Sequence, residues 1–236
     1  MLAVEAAVAK VSKYAVPESG DTVETVERPR GGVSLVMADG QRSGRSAKRI
    51  SNMVVRKAAS LLAEGVRDGA AARAANDYLL TARRGQVSAD LVIVSADLAT
   101  RTLVITRNTR TPVLFVQDSE THYLDAPSSS LGTSRLTRPL ITEWSLAAGQ
   151  LVVAFTDGLM EAGCRGMRSA HFPEWLVSLA LEHPHSPTTL TDAILSMAVA
   201  LDHGRPRDDM TVLAVATVDR QESLSVRRMQ LSFPIG

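Results

Sequence analysis

Two apolar runs of this chain end in the same way: Ser34-Leu-Val-Met-Ala38 leads into Asp39-Gly40, and Leu151-Val-Val-Ala-Phe-Thr156 leads into Asp157-Gly158. Each sets a carboxylate at the end of a buried strand, and the glycine after it lets the backbone turn and bring its carbonyl close to a ligand. Arg207-Asp208-Asp209-Met210-Thr211 places an acidic pair just before a third apolar run, and Ser19-Gly20-Asp21 is a further acidic site just before the alternating segment Thr22 to Glu27. Strand-end carboxylates of this kind converge on one sheet rim. Two carboxylates about 4 Å apart repel by roughly 4 kcal/mol at an effective dielectric of about 20, so four cannot converge unpaired. Lysine and arginine, protons or divalent cations are the available neutralisers. Among cations, ligation by aspartate and backbone carbonyl suits Mg²⁺ or Mn²⁺ better than zinc.

Asp-Gly is also a turn dipeptide, and not every aspartate belongs to this set. Asp68 reads as a helix cap, and Asp97, Asp118 and Asp125 as loop residues. His183-Pro184-His185 lies in a proline-rich junction without nearby Cys or acidic companions and reads as a surface turn. Cys164 has no neighbouring base and reads as a small buried hydrophobe. The chain contains neither a phosphate-cradling Gly-x-x-x-x-Gly-Lys-Ser/Thr segment nor a Gly-x-Ser-x-Gly elbow, which removes the main support for nucleotide hydrolysis and serine esterase chemistry.

The elements that must carry these carboxylates follow from periodicity. Alternation in Val4, Ala6 and Val8 predicts an opening strand, Thr22 to Glu27 a second, and Val33 to Ala38 a third after a Gly31-Gly32 hairpin turn. From Gly44 the period changes, and Ala47, Ile50, Val54, Ala58, Leu61 and Leu62 form the apolar stripe of a long helix. A second helix is capped by Asp68, buries Ala71, Ala74, Tyr78 and Ala82, and ends at Gly85. Strands return at Leu91 to Ala96, Thr102 to Thr106, Pro112 to Val116 and Gln150 to Thr156, with an irregular segment from Pro127 to Pro139. Two more helices follow, one from about Pro173, the other capped by Ser186 and burying Leu190, Ile194, Met197 and Leu201. Met210 to Val218 is a further strand, and Val226 to Phe233 is expected to add one more. Strands, a helix pair, strands, a helix pair and a strand do not alternate as βαβ units do, so the class is α+β with helices on largely antiparallel sheets.

The 236 residues are 45% apolar, enough for a substantial core, and no linker divides them, so one domain over 1–236 is expected. Twenty-six Lys and Arg against 25 Asp and Glu leave a net charge of +1, which excludes a dedicated nucleic-acid binder. A single cysteine, the absence of a signal-like start and apolar runs too short for a bilayer predict a cytoplasmic protein without membrane partners.

Taken in order, Ser19-Gly20-Asp21, Ala38-Asp39-Gly40, Phe155-Thr156-Asp157-Gly158 and Asp208-Asp209-Met210-Thr211-Val212 resemble the metal-binding motifs of the PPM-type metal-dependent serine/threonine protein phosphatases, and in particular their SpoIIE-like bacterial branch. Asp39 to Lys57, together with Val11-Ser-Lys-Tyr14 and a compact chain without sensor domains, is most similar to the RsbX type. The resemblance runs from about Val11 to Val218. It implies a four-layer αββα sandwich, two mainly antiparallel sheets flanked by helix pairs, with two Mn²⁺ or Mg²⁺ ions in a cleft at one end. By motif, Asp39 bridges both ions, Asp21 and the Gly40 carbonyl hold one, Asp157 and Asp208 hold the other, and Asp209 supports the site. Asp39 and Asp157 are thereby the candidate catalytic residues. The implied reaction is hydrolysis of phosphoserine or phosphothreonine by in-line attack of metal-activated water, without a phosphoenzyme. The implied substrate is a regulatory protein, namely a phosphorylated STAS-domain component of a bacterial partner-switching stress or sigma-factor pathway.

Where such proteins carry Asp-Gly-x-Gly-x-Gly, this chain has Asp39-Gly40-Gln41-Arg42-Ser43-Gly44. Arg42 replaces a glycine, so it either accepts a costly positive φ or uses its fork to bind the phosphate or a partner carboxylate. Asn108-Thr-Arg-Thr-Pro112 stands where many relatives have a Gly-His-Pro type turn, and no chemistry is assigned there. The Arg45, Lys48 and Arg49 cluster either attracts an acidic phosphoprotein or is a solvated helix face. The competing reading is a catalytically weak scaffold that keeps the fold to bind a regulatory protein, against which stand Asp21, Asp39, Asp157 and Asp208.

Overall fold

The computed structural model describes residues 1–29, 31–164, 172–220 and 226–232. Among the described residues, ten strands and five helices follow one another in the order β1 (Leu2–Val11), β2 (Thr22–Glu27), β3 (Gly32–Gly40), α1 (Gly44–Ala63), α2 (Asp68–Arg83), β4 (Ala89–Asp97), β5 (Thr102–Asn108), β6 (Val113–Gln117), β7 (Glu120–Leu124), β8 (Leu140–Ser145), β9 (Leu151–Phe155), α3 (Asp157–Met160), α4 (Glu174–Glu182), α5 (Pro187–Leu201) and β10 (Met210–Asp219). They make two five-stranded sheets: a terminal sheet in the order β1-β10-β9-β6-β7 and a middle sheet in the order β2-β3-β4-β5-β8. Every pairing is antiparallel.

Period-two side chains give each sheet two faces, and both faces are used. Leu35, Met37, Val92 and Val94 of the middle sheet meet Phe115, Val152, Ala154 and Leu213 of the terminal sheet in a core between them. Phe115 stacks on Trp144 there, with ring centroids 4.0 Å apart. The opposite face of the middle sheet, with Val36, Leu91 and Ile93, is covered by Val54, Ala58, Leu62, Ala75 and Leu79 of α1 and α2. Val153, Val212 and Ala214 of the terminal sheet are likewise covered by Leu176, Leu190 and Ile194 of α4 and α5. Three apolar layers between four tiers make the α+β sandwich that the motif resemblance implied. Among the described residues, no helix is long and apolar enough to cross a membrane.

Several local expectations need correction. Asp68 does not cap α2: the preceding Arg67 takes that place, without a side-chain bond, and Asp68 is buried in an ion pair with Arg28 at 2.8 Å and a hydrogen bond from Ser95. The inward face of α2 is Ala71, Ala72, Ala75 and Leu79, whereas Tyr78 is exposed, because the helix phase is set by packing on α1 rather than by the larger aromatic. In α5 Met197 is exposed and Ala198 takes the buried position. Strands β7 and β8 went unread because both are sheet edges whose side chains are largely solvated, so neither shows an apolar run. The one-turn α3 was too short to show a period. Residues 226–232 form no strand, and Phe233 lies outside the described residues.

Candidate metal centre

The connection from β1 to β2 crosses from the terminal sheet to the middle sheet, and Asp21 sits at its end, just before β2. Its side chain is fully buried. One carboxylate oxygen, Oδ2, accepts hydrogen bonds from the Thr211 hydroxyl at 2.6 Å and the Thr156 hydroxyl at 3.1 Å, both on the terminal-sheet side of the seam. The other, Oδ1, is buried without a hydrogen-bond donor. Asp39, near the end of β3, faces Asp90 across the β3–β4 ladder, and the carboxyls of Asp21 and Asp157 are its other acidic neighbours. Burial pushes Asp39 up to about 11, helped by the charges of Asp21, Asp157 and Asp90. Asp21 is raised to about 6, mainly by burial and then, against the two threonine hydroxyls, by Asp209.

Asp157 opens α3 directly after β9, and Gly158 follows it for a packing reason. A Cβ at Gly158 would stand 2.2 Å from the Asp209 carbonyl oxygen, so only glycine lets α3 close on the start of β10. Gly40 is constrained in the same manner, its missing Cβ leaving room for the Ala47 carbonyl, which would stand 2.1 Å away. Close approach of a helix backbone, not a positive φ, is what these two Asp-Gly steps require. Burial raises Asp157 to about 6, with Asp208, Glu161, Asp90 and Asp21 adding repulsion. Burial also raises Asp208, against the pull of the Asp209 N–H and Lys13. Asp209 turns away from this group: its carboxylate accepts from the Lys13 N–H at 2.9 Å and the Gly20 N–H at 2.8 Å, so it ties the β1–β2 connection to β10.

The structure therefore gathers Asp21, Asp39 and Asp157 as mutually repelling neighbours, with Asp208 against Asp157 and Asp209 behind the connection. It does not bring Arg42 into the crevice where Asp39, Asp90, Thr156 and Asp157 stand. Arg42 adopts a φ of +77° and lines a separate pocket beside that rim.

Sequence reasoning missed Asp90, whose carboxylate accepts from the hydroxyls of Thr109 (2.6 Å) and Ser130, and the hydroxyls of Thr156 and Thr211 that orient Asp21. The pairing register of Asp39 was the missing signal. It missed also that Lys48 and Lys10 both donate to the Asp21 carbonyl. Lys48 is lowered to about 8, by burial first and then by the neighbouring Lys10.

An all-oxygen, carboxylate-rich group with one buried and donorless oxygen matches the donor chemistry of hard divalent cations. Among the described residues no three acidic, His or Cys side chains already form a closed cage.

A family model described as Stage II sporulation protein E (SpoIIE) matches residues 29–218. No curated protein matches the chain. Among solved structures, the chain is similar to the PP2C phosphatase domain with a regulatory fragment of SpoIIE from Bacillus subtilis, at TM-score 0.78 and 19% identity, covering 94% of this chain and 65% of that one. It is similar to the catalytic domain of the serine/threonine protein phosphatase PstP in complex with two manganese ions, at TM-score 0.70 and 14% identity over 93% of this chain and 100% of that one. It also matches the RsbU and RsbW domains of a Mycobacterium tuberculosis protein, at TM-score 0.71 and 20% identity over 91% of this chain and 60% of that one. With the two sheets, their flanking helices and the carboxylate rim in place, the chain belongs to the SpoIIE family of PPM-type phosphatase folds.

Proposed function

We propose that the chain, as one domain over 1–236, is an Mn²⁺- or Mg²⁺-dependent phosphatase acting on phosphoserine or phosphothreonine of a regulatory protein in the cytoplasm. The observation that carries this reading is the buried, donorless Oδ1 of Asp21 beside the Asp39 carboxyl, an arrangement that a cation completes. Asp21, Asp39, the Gly40 carbonyl, Asp157 and Asp208 would hold two ions, as the motifs suggest. Bound there, such ions lower the pKa of water and neutralise charge on phosphoryl oxygens. The chain's own contribution is positional. Thr156 and Thr211 aim Asp21, and Asp209 anchors the loop that presents it, while Lys48 and Lys10 fix its carbonyl. Similarity to a structure holding RsbU and RsbW domains supports a partner-switching setting, while a STAS-domain phosphoprotein as substrate and kinship with the RsbX type rest on the motif resemblance.

Hydrolysis of p-nitrophenyl phosphate is the direct test. Chelation should abolish it, Mn²⁺ or Mg²⁺ should restore it, and zinc should restore it poorly because no Cys or His is in the set. Full activity after exhaustive chelation refutes the metal reading. Absence of any metal-stimulated turnover in a folded protein favours the scaffold.

A further inference from the structure

Of the basic residues near α1, the structure selects a different trio from the Arg45, Lys48 and Arg49 cluster. Lys48 turns inward onto the Asp21 carbonyl. Arg42, Arg49 and Arg83 instead line one pocket, with Gln41, Ser46 and Gln86 between them. No acidic residue lines it. Among the described residues, none of the three guanidiniums pairs with a carboxylate, and the buried Nε of Arg83 has no acceptor. Three unpaired cations in one concavity are not a by-product of general charge, since the whole chain carries only +1. Arg42 is moreover held at a φ of +77°, a conformation that costs a non-glycine residue energy and is kept where the surroundings impose it.

The pocket lies next to the carboxylate rim. Asp39 pairs with Asp90, Gly40 with Ala89, and the Gln41 N–H donates to the Ser88 carbonyl at 3.0 Å, so the β3–β4 ladder leads from the crevice to the pocket wall. Arg42 is three residues from Asp39, at most about 10 Å along an extended chain. Arg42 lines this pocket and not the crevice, and a separation of that order is spanned by two to four residues of an extended substrate.

We propose that this pocket docks acidic side chains flanking the phosphorylated residue of the protein substrate, so that the enzyme selects phosphosites with Asp or Glu two to four positions away. The inference rests on the phosphatase reading but is tested separately from it. Two fluorescein-labelled peptides centred on serine, one with Asp and Glu at those flanking positions and one with Asn and Gln, are titrated by anisotropy against the wild type, Arg49→Gln and Arg49→Gln/Arg83→Gln. Wild type should bind the acidic peptide at least about tenfold more tightly, an advantage reduced by salt and lost in the double variant. Melting curves of each variant separate loss of docking from loss of fold, and the exposed Arg49→Gln alone should weaken binding without a change in melting. p-Nitrophenyl phosphate turnover, which needs no docking, reports on the phosphatase reading independently and should be unchanged in both variants. Equal binding of the two peptides by wild type overturns the proposal, and so does a preference that survives in the double variant. Displacement of the acidic peptide by inorganic phosphate as effectively as by the unlabelled acidic peptide would make the pocket a free-anion site and also overturn it.

Discussion

Replacing Asp39 by asparagine should separate catalysis from folding, because the same carboxyl that is proposed to bridge two cations is a liability without them. In the metal-free fold Asp39 is raised from 3.8 to about 11 by burial and by Asp21, Asp157 and Asp90. A carboxyl raised on folding contributes its full stability below its unfolded pKa and loses it as pH climbs towards the folded value. The loss runs at about 1.4 kcal/mol per pH unit. For Asp21 and Asp157 that window closes near pH 6, where their own values lie. Between pH 6.5 and 8.5, Asp39 is the group among these three that still titrates against the fold. Wild type in chelator should therefore lose about 3 kcal/mol over those two pH units, which Asp39→Asn should not. For a domain of this size that is roughly 6–12 °C in Tm. At pH 7 the asparagine variant should melt above wild type in chelator by up to about 4 kcal/mol, the ceiling being set by the three pH units separating 3.8 from 7. With Mn²⁺ the order should reverse, because the variant gains less from the ions, and its turnover of p-nitrophenyl phosphate should fall by at least about two orders of magnitude. Calorimetric melting of both proteins across pH 6.5 to 8.5, with chelator and with Mn²⁺, tests each part. A parallel pH slope in the two proteins refutes the electrostatic argument. Near-normal turnover removes Asp39 from the site.

Gly40→Ala would drive a methyl into the Ala47 carbonyl, a backbone atom that cannot step aside, and should cost about 1–3 kcal/mol in chemical denaturation together with reduced Mn²⁺-dependent turnover. Asp68→Ala leaves the buried Arg28 with Asp97 at 4.0 Å as its remaining carboxylate and should cost about 3 kcal/mol. Its partners Ser34 and Ser95 lie five residues along the ladder from the Asp39–Asp90 pair, roughly 17 Å away, so turnover per folded molecule should hold. Arg42→Gly relieves the positive φ and should stabilise the fold by about 1 kcal/mol, while kcat/KM falls for a phosphoprotein and not for p-nitrophenyl phosphate.

What was legible in the residues was the part fixed by strong local periodicity. The central strands β3, β4, β9 and β10 are buried on both faces and written as apolar runs, so their ends, and the carboxylates at Asp39, Asp157 and Asp208, could be located directly. Edge strands β7 and β8 carry mixed side chains and left no such trace. Asp90 was hidden for a different reason. It is an ordinary residue near a strand start, and only the pairing register of β3 with β4 makes it the neighbour of Asp39. The hydroxyls of Thr156 and Thr211 stood inside the quoted motifs, yet nothing local shows that both reach across 135 and 190 residues of sequence to one oxygen of Asp21. Arg42 was identified as an anomaly where glycine was expected, and its φ is indeed positive, but the pocket it faces is made with Arg83 from the far end of α2.

These long-range hydroxyl bonds indicate how the site depends on the sandwich. Asp39 and Asp90 come from the middle sheet, whereas Asp157, Asp208 and Asp209 come from the end of β9 and the start of β10 in the terminal sheet. Asp21 lies on the crossing from β1 to β2, held to the terminal-sheet side by Thr156, Thr211 and the Asp209–Gly20 bond, and to α1 by Lys48. Neither sheet with its own helices contains a complete carboxylate group. The set exists only when the core of Met37, Phe115, Val152 and Leu213 has closed between the sheets, and the repulsion among the carboxylates acts directly against that closure. A cation at the seam would therefore bind the two sheets to each other as well as serve chemistry. Stabilisation by Mn²⁺ should consequently appear as slower exchange of amides in β3 and β10 on opposite sides of the seam, and not as a local effect confined to the loop that carries Asp21.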